Sequence, residues 1–297
     1  MHKPVLLKEV IEILNPKPGE FFIDGTVGGG GHSLEILKKI GKGGIFLGMD
    51  WDEKIIEQTK SKLDAVCQMS DVKCYFVHGN YADLPEILKE NNLPKADGLI
   101  LDLGMSSIQL ERSGRGFSFL KDEPLDMRYD IAESLTAAEV INSFRENDLN
   151  DIFWKYGEER YSRRIAKKIV EERKEKRILT TFDLTEIIKR AVPKNYERGR
   201  IYPSTRVFQA LRIYVNCELE NLEKLLKNMS EILKHGGRVA IISFHSLEDR
   251  LVKNYFRETA KKGKAEILTK KPIEAIMEEI QQNPRARSAK MRAIKII

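Results

Sequence analysis

The side chains best suited to chemistry in this sequence are carboxylates that follow short hydrophobic runs. Asp24, Asp50 and Asp102 each close a run of strand type. In a doubly wound α/β sheet the ligand lies across the carboxyl ends of neighbouring strands, so we expect these three side chains to face one crevice. Asp is also a common helix N-cap, and one such residue alone would carry little weight. Three together predict a ligand site rich in hydrogen-bond acceptors.

A glycine-rich turn follows the first of these carboxylates. Five glycines, Gly25 and Gly28–Gly31, separate Asp24 from the next helical pattern. Their spacing lacks the fingerprint of dinucleotide sites, and His32 stands where a phosphate-binding P-loop has Lys. An acidic strand end, a glycine turn and a second strand that ends on Asp50 are typical of a sheet that holds an adenosine through its ribose hydroxyls. S-adenosylmethionine fits that description without a phosphate. The alternative is a tight connection that binds no ligand.

Two further candidates follow later strands. Tyr81 comes after the strand predicted at 72–77, where it would stack on an adenine ring; the alternative is an ordinary half-buried loop aromatic. His245 comes after the strand predicted at 236–244 and would face the same crevice, although a lone histidine more often has a structural role.

The cysteines predict neither a metal site nor a nucleophile. Cys67, Cys74 and Cys217 have neither the paired spacing of a zinc site nor the pattern of a disulfide framework. We therefore expect unpaired cysteines that pack as small buried hydrophobic residues. None lies at a marked strand end, which disfavours methylation at C5 of a pyrimidine, because that reaction needs a thiolate nucleophile.

The composition is that of a soluble globular protein, and its charge distribution favours a polyanionic partner. Hydrophobic residues make up 41% of the 297 residues and charged residues 32%. No apolar run approaches the ~20 residues of a membrane span, and the N-terminus has no signal-peptide core, so we expect a cytoplasmic protein without membrane association.

The net charge of +6 is unevenly spread. The segment 160–206 holds fifteen Lys or Arg against six Asp or Glu, a net charge of +9. Such asymmetry favours a nucleic acid partner. The alternative for the most basic stretch, 163–177, is a solvated helix face with internal ion pairs.

The elements around these residues predict an α/β fold with a doubly wound, mostly parallel seven-stranded sheet. Five strands alternate with helices, and two final strands form a hairpin-like pair; the predicted strands are 20–23, 44–49, 72–77, 96–102, 236–244, 265–268 and 290–296. A helix at 3–14 is expected to cap the ligand site.

Helical patterns alone fill the chain from 133 to 204. We therefore predict a ligand-binding domain formed by 1–110 and 205–297, with an inserted all-α domain, 111–204, for substrate recognition. Arginine and phenylalanine in the loop 112–119 suit stacking on unpaired bases, the alternative being a buttressing loop. Residues 283–288 form a basic loop between the last two predicted strands, and the alternative is a hairpin connection with incidental charge.

Seven segments form a more specific set of motifs. They are Asp24-Gly-Thr-Val-Gly-Gly-Gly-Gly-His-Ser33, Leu101-Asp-Leu-Gly-Met-Ser-Ser107, Arg115-Gly-Phe-Ser-Phe119, Pro124-Leu-Asp-Met-Arg128, Tyr156-Gly-Glu-Glu-Arg160, Ile242-Ser-Phe-His-Ser-Leu-Glu-Asp-Arg250 and Asn283-Pro-Arg-Ala-Arg-Ser288. Together they resemble the bacterial MraW family over nearly the whole chain. The resemblance implies a class I methyltransferase that transfers a methyl group from S-adenosylmethionine to N4 of a cytidine in small-subunit ribosomal RNA.

The resemblance also implies a set of cofactor contacts. They are Gly30, Gly31, His32, Asp50, Tyr81, Asp102 and Gln109, the last from the resemblance alone. Asp24 is a further predicted contact, because it ends the first strand of the sheet. Other amino-methylating enzymes have Asp/Asn/Ser-Pro-Pro-aromatic after the fourth strand, whereas this chain has Asp102-Leu-Gly-Met105. We therefore do not expect the amine to be held as it is in the DNA enzymes.

An exocyclic cytosine amine is a poor nucleophile because its lone pair is delocalised into the ring. Asp102 is the best available acceptor for the amine and is the expected catalytic residue. The sulfonium supplies the reactivity and the protein positions the reactants, so no metal is expected. The target base must be unpaired or flipped. Two alternatives stay open: a non-catalytic nucleotide-binding protein that binds RNA, and a methyltransferase for another RNA position.

Overall fold

The computed structural model of the chain describes residues 4–106, 109–110, 113–193, 196 and 202–297. The chain divides into two compact units, one formed by Met1–Gly104 with Leu219–Ile297 and the other by Met105–Glu218. The second unit is longer at both ends than the predicted insertion at 111–204.

An eight-stranded sheet forms the centre of the first unit. Its strands are β1 Phe21–Asp24, β2 Ile45–Asp50, β3 Lys73–His78, β4 Ala96–Asp102, β5 Leu233–Ser243, β6 Ala265–Ile267, β7 Ile273–Glu274 and β8 Lys290–Ile296. The order is β3-β2-β1-β4-β5-β8-β6, with β7 paired to β8 outside this path. The first five strands pair in parallel, and β8 is antiparallel to its three partners. The predicted mostly parallel sheet of seven strands is confirmed along this path, and β7, with two residues, is too short to show a sequence period.

The helices follow the alternation that the sequence predicts. They are α1 Leu7–Leu14, α2 Gly31–Ile40, α3 Glu53–Met69, α4 Leu84–Glu90, α5 Ala137–Ser143, α6 Glu146–Gly157, α7 Ser162–Glu172, α8 Thr181–Ala191, α9 Pro203–Val215, α10 Glu218–Lys227, α11 Met229–Ile232, α12 Ser246–Lys261 and α13 Met277–Gln282. In the parts of the chain that the structure describes, no helix is long and apolar enough to cross a bilayer.

Side chains alternate along the strands and therefore build a core on each face of the sheet. On one face Phe22 and Ile100 pack in a cluster with residues of α1 and α2. On the other, Ile23 and Leu99 pack in a cluster with residues of α4 and α10.

The parallel register brings the three acidic strand ends to one edge. Asp24 lies opposite Gly48 in β2 and Ile100 in β4. Asp50 and Asp102 therefore extend two residues beyond the level of Asp24, on either side of it. The strand order reverses between β1 and β4, which is where open α/β sheets bind their ligands.

The regular elements that the structure describes in the second unit are the helices α5–α9. The capping box of Thr136 and Glu139 begins α5. Gly157 lets α6 and α9 pack closely, because an added Cβ would lie 2.6 Å from the backbone oxygen of Arg206. Leu149 and Phe153 on the inner face of α6 are fully buried.

The expectation of unpaired cysteines was wrong for two of the three. Cys67, near the end of α3, forms a disulfide with Cys74 in β3, across a Cα–Cα distance of 6.2 Å. A tight turn reverses the chain between them, with Asp71 at a positive φ of 54°, and no spacing rule for multi-cysteine frameworks signals such a local pair. Cys217 is exposed rather than buried.

Both chain ends of the first unit differ in detail from prediction. Helix α1 begins at Leu7, because Leu6 adopts a left-handed φ of 53°. Residue 3, where the predicted helix begins, lies outside the described residues. The predicted pairing of the last strands is confirmed, since β6 pairs with β8. The basic stretch 283–288 is a short 3-10 helix, Pro284–Ser288, that follows α13, and not a hairpin turn.

Candidate active site

Asp24 joins the end of β1 to the first turn of α2. Its Oδ2 accepts a hydrogen bond of 2.6 Å from the Ser33 hydroxyl, and its Oδ1 accepts one of 3.1 Å from the Thr26 amide. The side chain is almost completely buried, and this burial raises its pKa to about 6 against the lowering effect of the two hydrogen bonds. Asp24 therefore fixes the geometry of the turn.

Asp50 holds the glycine turn from the neighbouring strand. Its Oδ2 accepts the amide of Gly28 at 3.0 Å and its Oδ1 accepts the amide of Asp52 at 3.0 Å. Burial raises the pKa of Asp50 to about 6, and the nearby charges of Asp52 and Asp24 act in the same direction. Each oxygen keeps a second lone pair for a ligand.

Asp102 differs from the other two because one of its oxygens is unsatisfied. Among the described residues, its buried Oδ1 has no hydrogen-bond partner, and Oδ2 lies 3.8 Å from Nδ1 of His32. Its amide donates to the Thr26 hydroxyl at 2.7 Å, which fixes the strand end. Burial raises the pKa of Asp102 to about 8, and the charges of Asp24 and Glu248 raise it further. A buried acceptor without a donor is costly unless a ligand supplies one.

Glycine is needed at different positions of the turn for different physical reasons. Gly25 and Gly31 are required by packing, since an added Cβ would lie 2.5 Å from Leu101 Cδ2 and 2.9 Å from Pro4 Cγ respectively. Gly30 has a φ of 79°, which other residues adopt only with strain. Gly29 is exposed, and no atom of the described residues lies within 4 Å of the position that its Cβ would take. The space in front of Gly29 is therefore open to a ligand.

His32 occupies the first turn of α2 with its ring turned inward. The imidazole is 5% exposed, and its Nε2 lies 2.9 Å from the backbone oxygen of Val5. The structure therefore places the side chain of His32 behind Asp102 and not at the open side of the turn.

Tyr81 lies beside the same turn, whereas Gln109 belongs to the other unit. Tyr81 begins a short 3-10 helix, is half-buried, and its Cβ is 3.3 Å from the position of an added Cβ on Gly25. Gln109 is buried in the second unit. Its side-chain Oε1 accepts the backbone N–H of Ser106, and its backbone N–H donates to Ser106 Oγ.

The contacts of His245 fit the structural alternative. It is the N-cap of α12, where its ring accepts the amide of Glu248, and the Glu248 carboxylate accepts the amides of Phe244 and His245 in return. This capping box orients α12 at the end of β5.

Two positioning residues were missed by sequence reasoning. Thr26 accepts the Asp102 amide, and the Thr59 hydroxyl on α3 donates to the Gly28 oxygen at 2.5 Å. Thr26 stands inside the quoted motif and could have been considered. Thr59 is one polar residue on the buried face of a long helix, which carries no sequence signal.

The arginine-rich loop of the second unit folds onto itself. Arg115 donates to the backbone oxygens of Arg128 and Tyr129, and Arg128 forms a bidentate pair with Asp126. Phe117 is buried and stacks on Tyr129 at 5.5 Å. These side chains fit the buttressing alternative, because they are engaged within the chain. Residues 107, 108, 111 and 112 of this region lie outside the described residues.

Helix α7 carries four of the cations of the second unit. Lys167 and Lys168 form ion pairs with Glu171, and Lys168 also pairs with Glu172. Arg163 and Arg164 are exposed one turn earlier. The solvated-face alternative therefore accounts for the lysines better than for the arginines.

The acidic edge suits a cationic ligand with hydroxyl groups. The segment 24–33 contains no Lys or Arg, so it offers no counter-ion to a phosphate. Asp24 and Asp50 are buried and Asp102 is partly buried, and a nearby positive charge would relieve the cost of ionising all three. S-adenosylmethionine, which has ribose hydroxyls and a sulfonium charge, fits these residues.

Comparison with known proteins gives a consistent result over the full length. A family model described as the MraW methylase family matches residues 1–297. A relative from Synechocystis sp. is 50% identical over 98% of this chain and 92% of its own length, and one from Dictyoglomus thermophilum is 46% identical over 98% and 95%. A relative from Syntrophotalea carbinolica is 45% identical over 99% and 97%. All three are named Ribosomal RNA small subunit methyltransferase H.

Proposed function

Because the chain belongs to the MraW methylase family, we propose that it methylates N4 of a cytidine in small-subunit (16S) ribosomal RNA with S-adenosylmethionine as methyl donor. The relatives' shared name supports the RNA substrate, and the family resemblance supports the N4 position. The structural observation that carries the chemistry is the buried Oδ1 of Asp102 at the carboxyl edge of the sheet, which has no hydrogen-bond partner in the described part of the chain.

The cofactor would be held by residues of the first unit that surround the glycine turn. Asp50 offers free lone pairs for the ribose hydroxyls, Tyr81 offers a half-buried ring for the adenine, and Gly29–Gly31 offer an open backbone at a helix start. Gln109 joins them on the family resemblance alone. When bound, S-adenosylmethionine supplies a methyl group on a positively charged sulfur.

Asp102 would act on the amine that receives the methyl group. A hydrogen bond from N4–H to Oδ1 draws electron density toward nitrogen as the amine pyramidalises. N4 must also lose one proton when it gains a methyl group, and Oδ1 is a buried acceptor without a competing donor among the described residues. Its raised pKa, about 8, makes the carboxylate a stronger base than an ordinary aspartate.

The second unit would bind the RNA. Its exposed arginines on α7 suit phosphate contacts, and Trp154 on α6 is 61% exposed, which suits stacking on an unpaired base. We propose that this unit recognises the substrate while the first unit carries out the reaction. On this proposal the protein works in the cytoplasm, where its RNA substrate is assembled.

Methyl transfer from labelled S-adenosylmethionine tests the proposal. Small ribosomal subunits and naked RNA, both lacking the modification, are incubated with the protein, and the nucleosides are identified by mass spectrometry. We expect N4-methylcytidine at one position. A label on another base or another atom would contradict the N4 assignment.

A thermal-shift comparison separates catalysis from the non-catalytic alternative. S-adenosylmethionine should raise the melting temperature, whereas NAD and ATP should not, because the acidic edge disfavours phosphate. Stabilisation by ATP alone would favour a nucleotide-binding protein without methyltransferase activity.

A further inference from the structure

Two tyrosines of the second unit contact each other edge to face beside the start of α7. The rings of Tyr161, the N-cap of α7, and Tyr196 lie 4.6 Å apart at an angle of 78°. Glu159, which is completely buried, connects them: its Oε1 accepts the backbone N–H of Tyr161 at 2.8 Å, and the Tyr196 hydroxyl donates to the carboxylate at 3.0 Å. One buried carboxylate therefore fixes the positions of both rings.

The hydroxyl of Tyr196 has a defined role in these hydrogen bonds. Partial burial raises the pKa of Tyr196 above its ordinary value, and the Glu159 carboxylate raises it further. The phenol therefore keeps its proton, which it donates to Glu159, and its oxygen is left as an acceptor for arginine. Arg206 on α9 donates to this oxygen from Nη1 at 3.4 Å and to the backbone oxygen of Glu158 at 3.2 Å.

Two further arginines lie over the tyrosine rings. The guanidinium carbon of Arg160 is 5.9 Å from the ring centroid of Tyr196, and that of Arg164 is 5.7 Å from the ring centroid of Tyr161. Both distances are within the range of a cation–π interaction, about 6 Å. We refer to five residues together as the tyrosine–arginine surface: Arg160, Tyr161, Arg164, Tyr196 and Arg206.

These contacts hold the guanidinium groups without neutralising them, because they are made with rings and uncharged oxygens. Arg160 and Arg164 are exposed, and a guanidinium with one face on a ring keeps its opposite face for a ligand. Side chains that are already held in place lose less conformational entropy when they bind. Lys167 and Lys168, farther along α7, form ion pairs with Glu171 instead.

An unpaired nucleic acid strand matches this surface in charge and in shape. The segment 160–206, which contains all five residues, has a net charge of +9, and this charge favours phosphate. Unpaired bases stack on arginine planes and aromatic rings, whereas the bases of a duplex are stacked on one another. We propose that the tyrosine–arginine surface binds an unpaired strand of RNA, with its arginines contacting phosphates and bases. That this RNA belongs to the small subunit rests on the proposed function, but the binding of a single strand does not.

Binding of a short RNA to the full-length protein tests this surface without any activity measurement. The probe is a fluorescein-labelled single strand of about 12 nucleotides, a length that single-strand-binding surfaces cover. Its fluorescence anisotropy is measured from about 50 to 200 mM salt. Arg160→Gln with Arg164→Gln should weaken binding and flatten its salt dependence by about 0.7 per lost phosphate contact, the value for single strands.

Arg145→Gln with Arg190→Gln is the matched control. Both arginines are exposed residues of the same unit, but they form ion pairs with Asp148 and Glu172 respectively. The control removes the same number of charges, so it separates a local contact from a general loss of positive charge. Equal Kd values and equal salt slopes in the two double variants would overturn the proposal.

Tyr161→Leu tests whether the ring supports base stacking. The charges of the surface stay the same, so we expect an unchanged salt slope, whereas affinity for the single strand should fall about fivefold or more, the lower end of the contribution of one stacked base. The same strand annealed to its complement should lose less than about twofold, since its bases cannot stack on the protein. Tyr161→Phe keeps the ring and should bind as the wild type does. Wild-type affinity of folded Tyr161→Leu for the single strand would overturn the stacking contact.

Small ribosomal subunits distinguish this proposal from a protein partner and from the proposed function. If the Arg160 and Arg164 double variant lost binding to subunits but kept its binding to the single strand, the surface would contact a ribosomal protein and the proposal would be wrong. Weakened single-strand binding in this variant, in a protein that forms no N4-methylcytidine, would refute the proposed function and leave the surface standing. Formation of N4-methylcytidine with unchanged single-strand binding in the variant would do the reverse.

Discussion

The carboxylates of the two units have pKa values that are shifted in opposite directions. In the first unit, burial raises the pKa values of Asp24 and Asp50 to about 6 and that of Asp102 to about 8. In the second unit, hydrogen bonds from Arg145 and Lys168 lower the pKa values of the partly exposed Asp148 and Glu172, respectively. The edge of the sheet therefore holds negative charge at a cost, whereas the helical unit neutralises its acids locally.

This difference indicates which unit is prepared for a reaction. Surface ion pairs such as Arg145–Asp148 contribute little to stability and can be rearranged freely. Buried carboxylates with raised pKa values persist only where the fold holds them, here through Ser33, Thr26 and backbone amides. Such perturbed groups are typical of functional sites.

The largest expected effect comes from the carboxylate with the unsatisfied oxygen. Asp102→Asn keeps the size of the side chain but removes its charge and half of its acceptor capacity. We expect the single-turnover methylation rate at saturating cofactor to fall by about 100-fold or more, the range for proton-transfer groups, with little change in RNA affinity.

A matched control lies on the same strand. Asp97 is near the start of β4, where it accepts the Phe21 amide and pairs with Lys234. Asp97→Asn should weaken the fold slightly and leave the methylation rate unchanged. If Asp102→Asn kept the wild-type rate with folding verified by circular dichroism, Asp102 would be only a cofactor contact or a strand-end residue.

The second effect concerns the carboxylate that holds the turn. Asp50→Ala should weaken the binding of S-adenosylmethionine by roughly 1.5–3 kcal/mol, the range for a hydrogen bond to a charged group. Since Asp50 also holds Gly28 and Asp52, part of this loss would come from the turn itself.

Calorimetry with adenosylhomocysteine and its 2′-deoxy analogue separates the two causes. If Asp50 binds the ribose, Asp50→Asn should weaken the ribose form more than the deoxy form. Asp52→Ala, which removes the side-chain N-cap of α3, should weaken the binding of both forms equally. Equal losses in Asp50→Asn would leave Asp50 with a structural role only.

The fold and the acidic edge of the sheet could be predicted from the sequence. Strand ends, the glycine turn and helix periodicity are local signals, and they sufficed to bring Asp24, Asp50 and Asp102 to one edge. Which oxygen lacks a partner was not accessible, because it depends on Thr26 and on the orientation of the His32 ring. The Cys67–Cys74 disulfide escaped for a similar reason, since it arises from one tight turn between α3 and β3.

The third effect concerns RNA binding by α7. It compares the arginines of this helix with the lysines that form ion pairs. Arg163→Gln with Arg164→Gln should lower RNA affinity and flatten its salt dependence by about 0.7–0.9 per lost phosphate contact. Lys167→Gln with Lys168→Gln should change the slope less, because both lysines already pair with Glu171. Cofactor affinity should be unchanged in both double variants.

Trp154→Ala provides a contrasting variant on α6. Loss of base stacking should weaken RNA binding without altering the salt slope, since no counter-ion is released. Equal slopes for wild type and the arginine variant would support the solvated-face interpretation of α7.

The smallest effect follows from the opposite pKa shifts of the two units. At the sheet edge, the folded state binds more protons than the unfolded state between pH 3.8 and about 8, so stability must fall as the pH rises through that window. In the second unit, Asp148 and Glu172 have lowered pKa values, so their contribution is present at neutral pH and is lost as the pH falls through the folded-state values.

Thermal unfolding of the ligand-free protein from pH 5 to pH 8 measures this difference directly. Asp102→Asn should flatten the decline between pH 6 and pH 8, because the group with the highest pKa no longer ionises there. Asp148→Asn should leave that decline intact, since its titration is complete at lower pH. A decline of the same slope in wild type and Asp102→Asn would show that the buried edge does not hold its charge at a cost, and the contrast between the two units would then lie in hydrogen bonding alone.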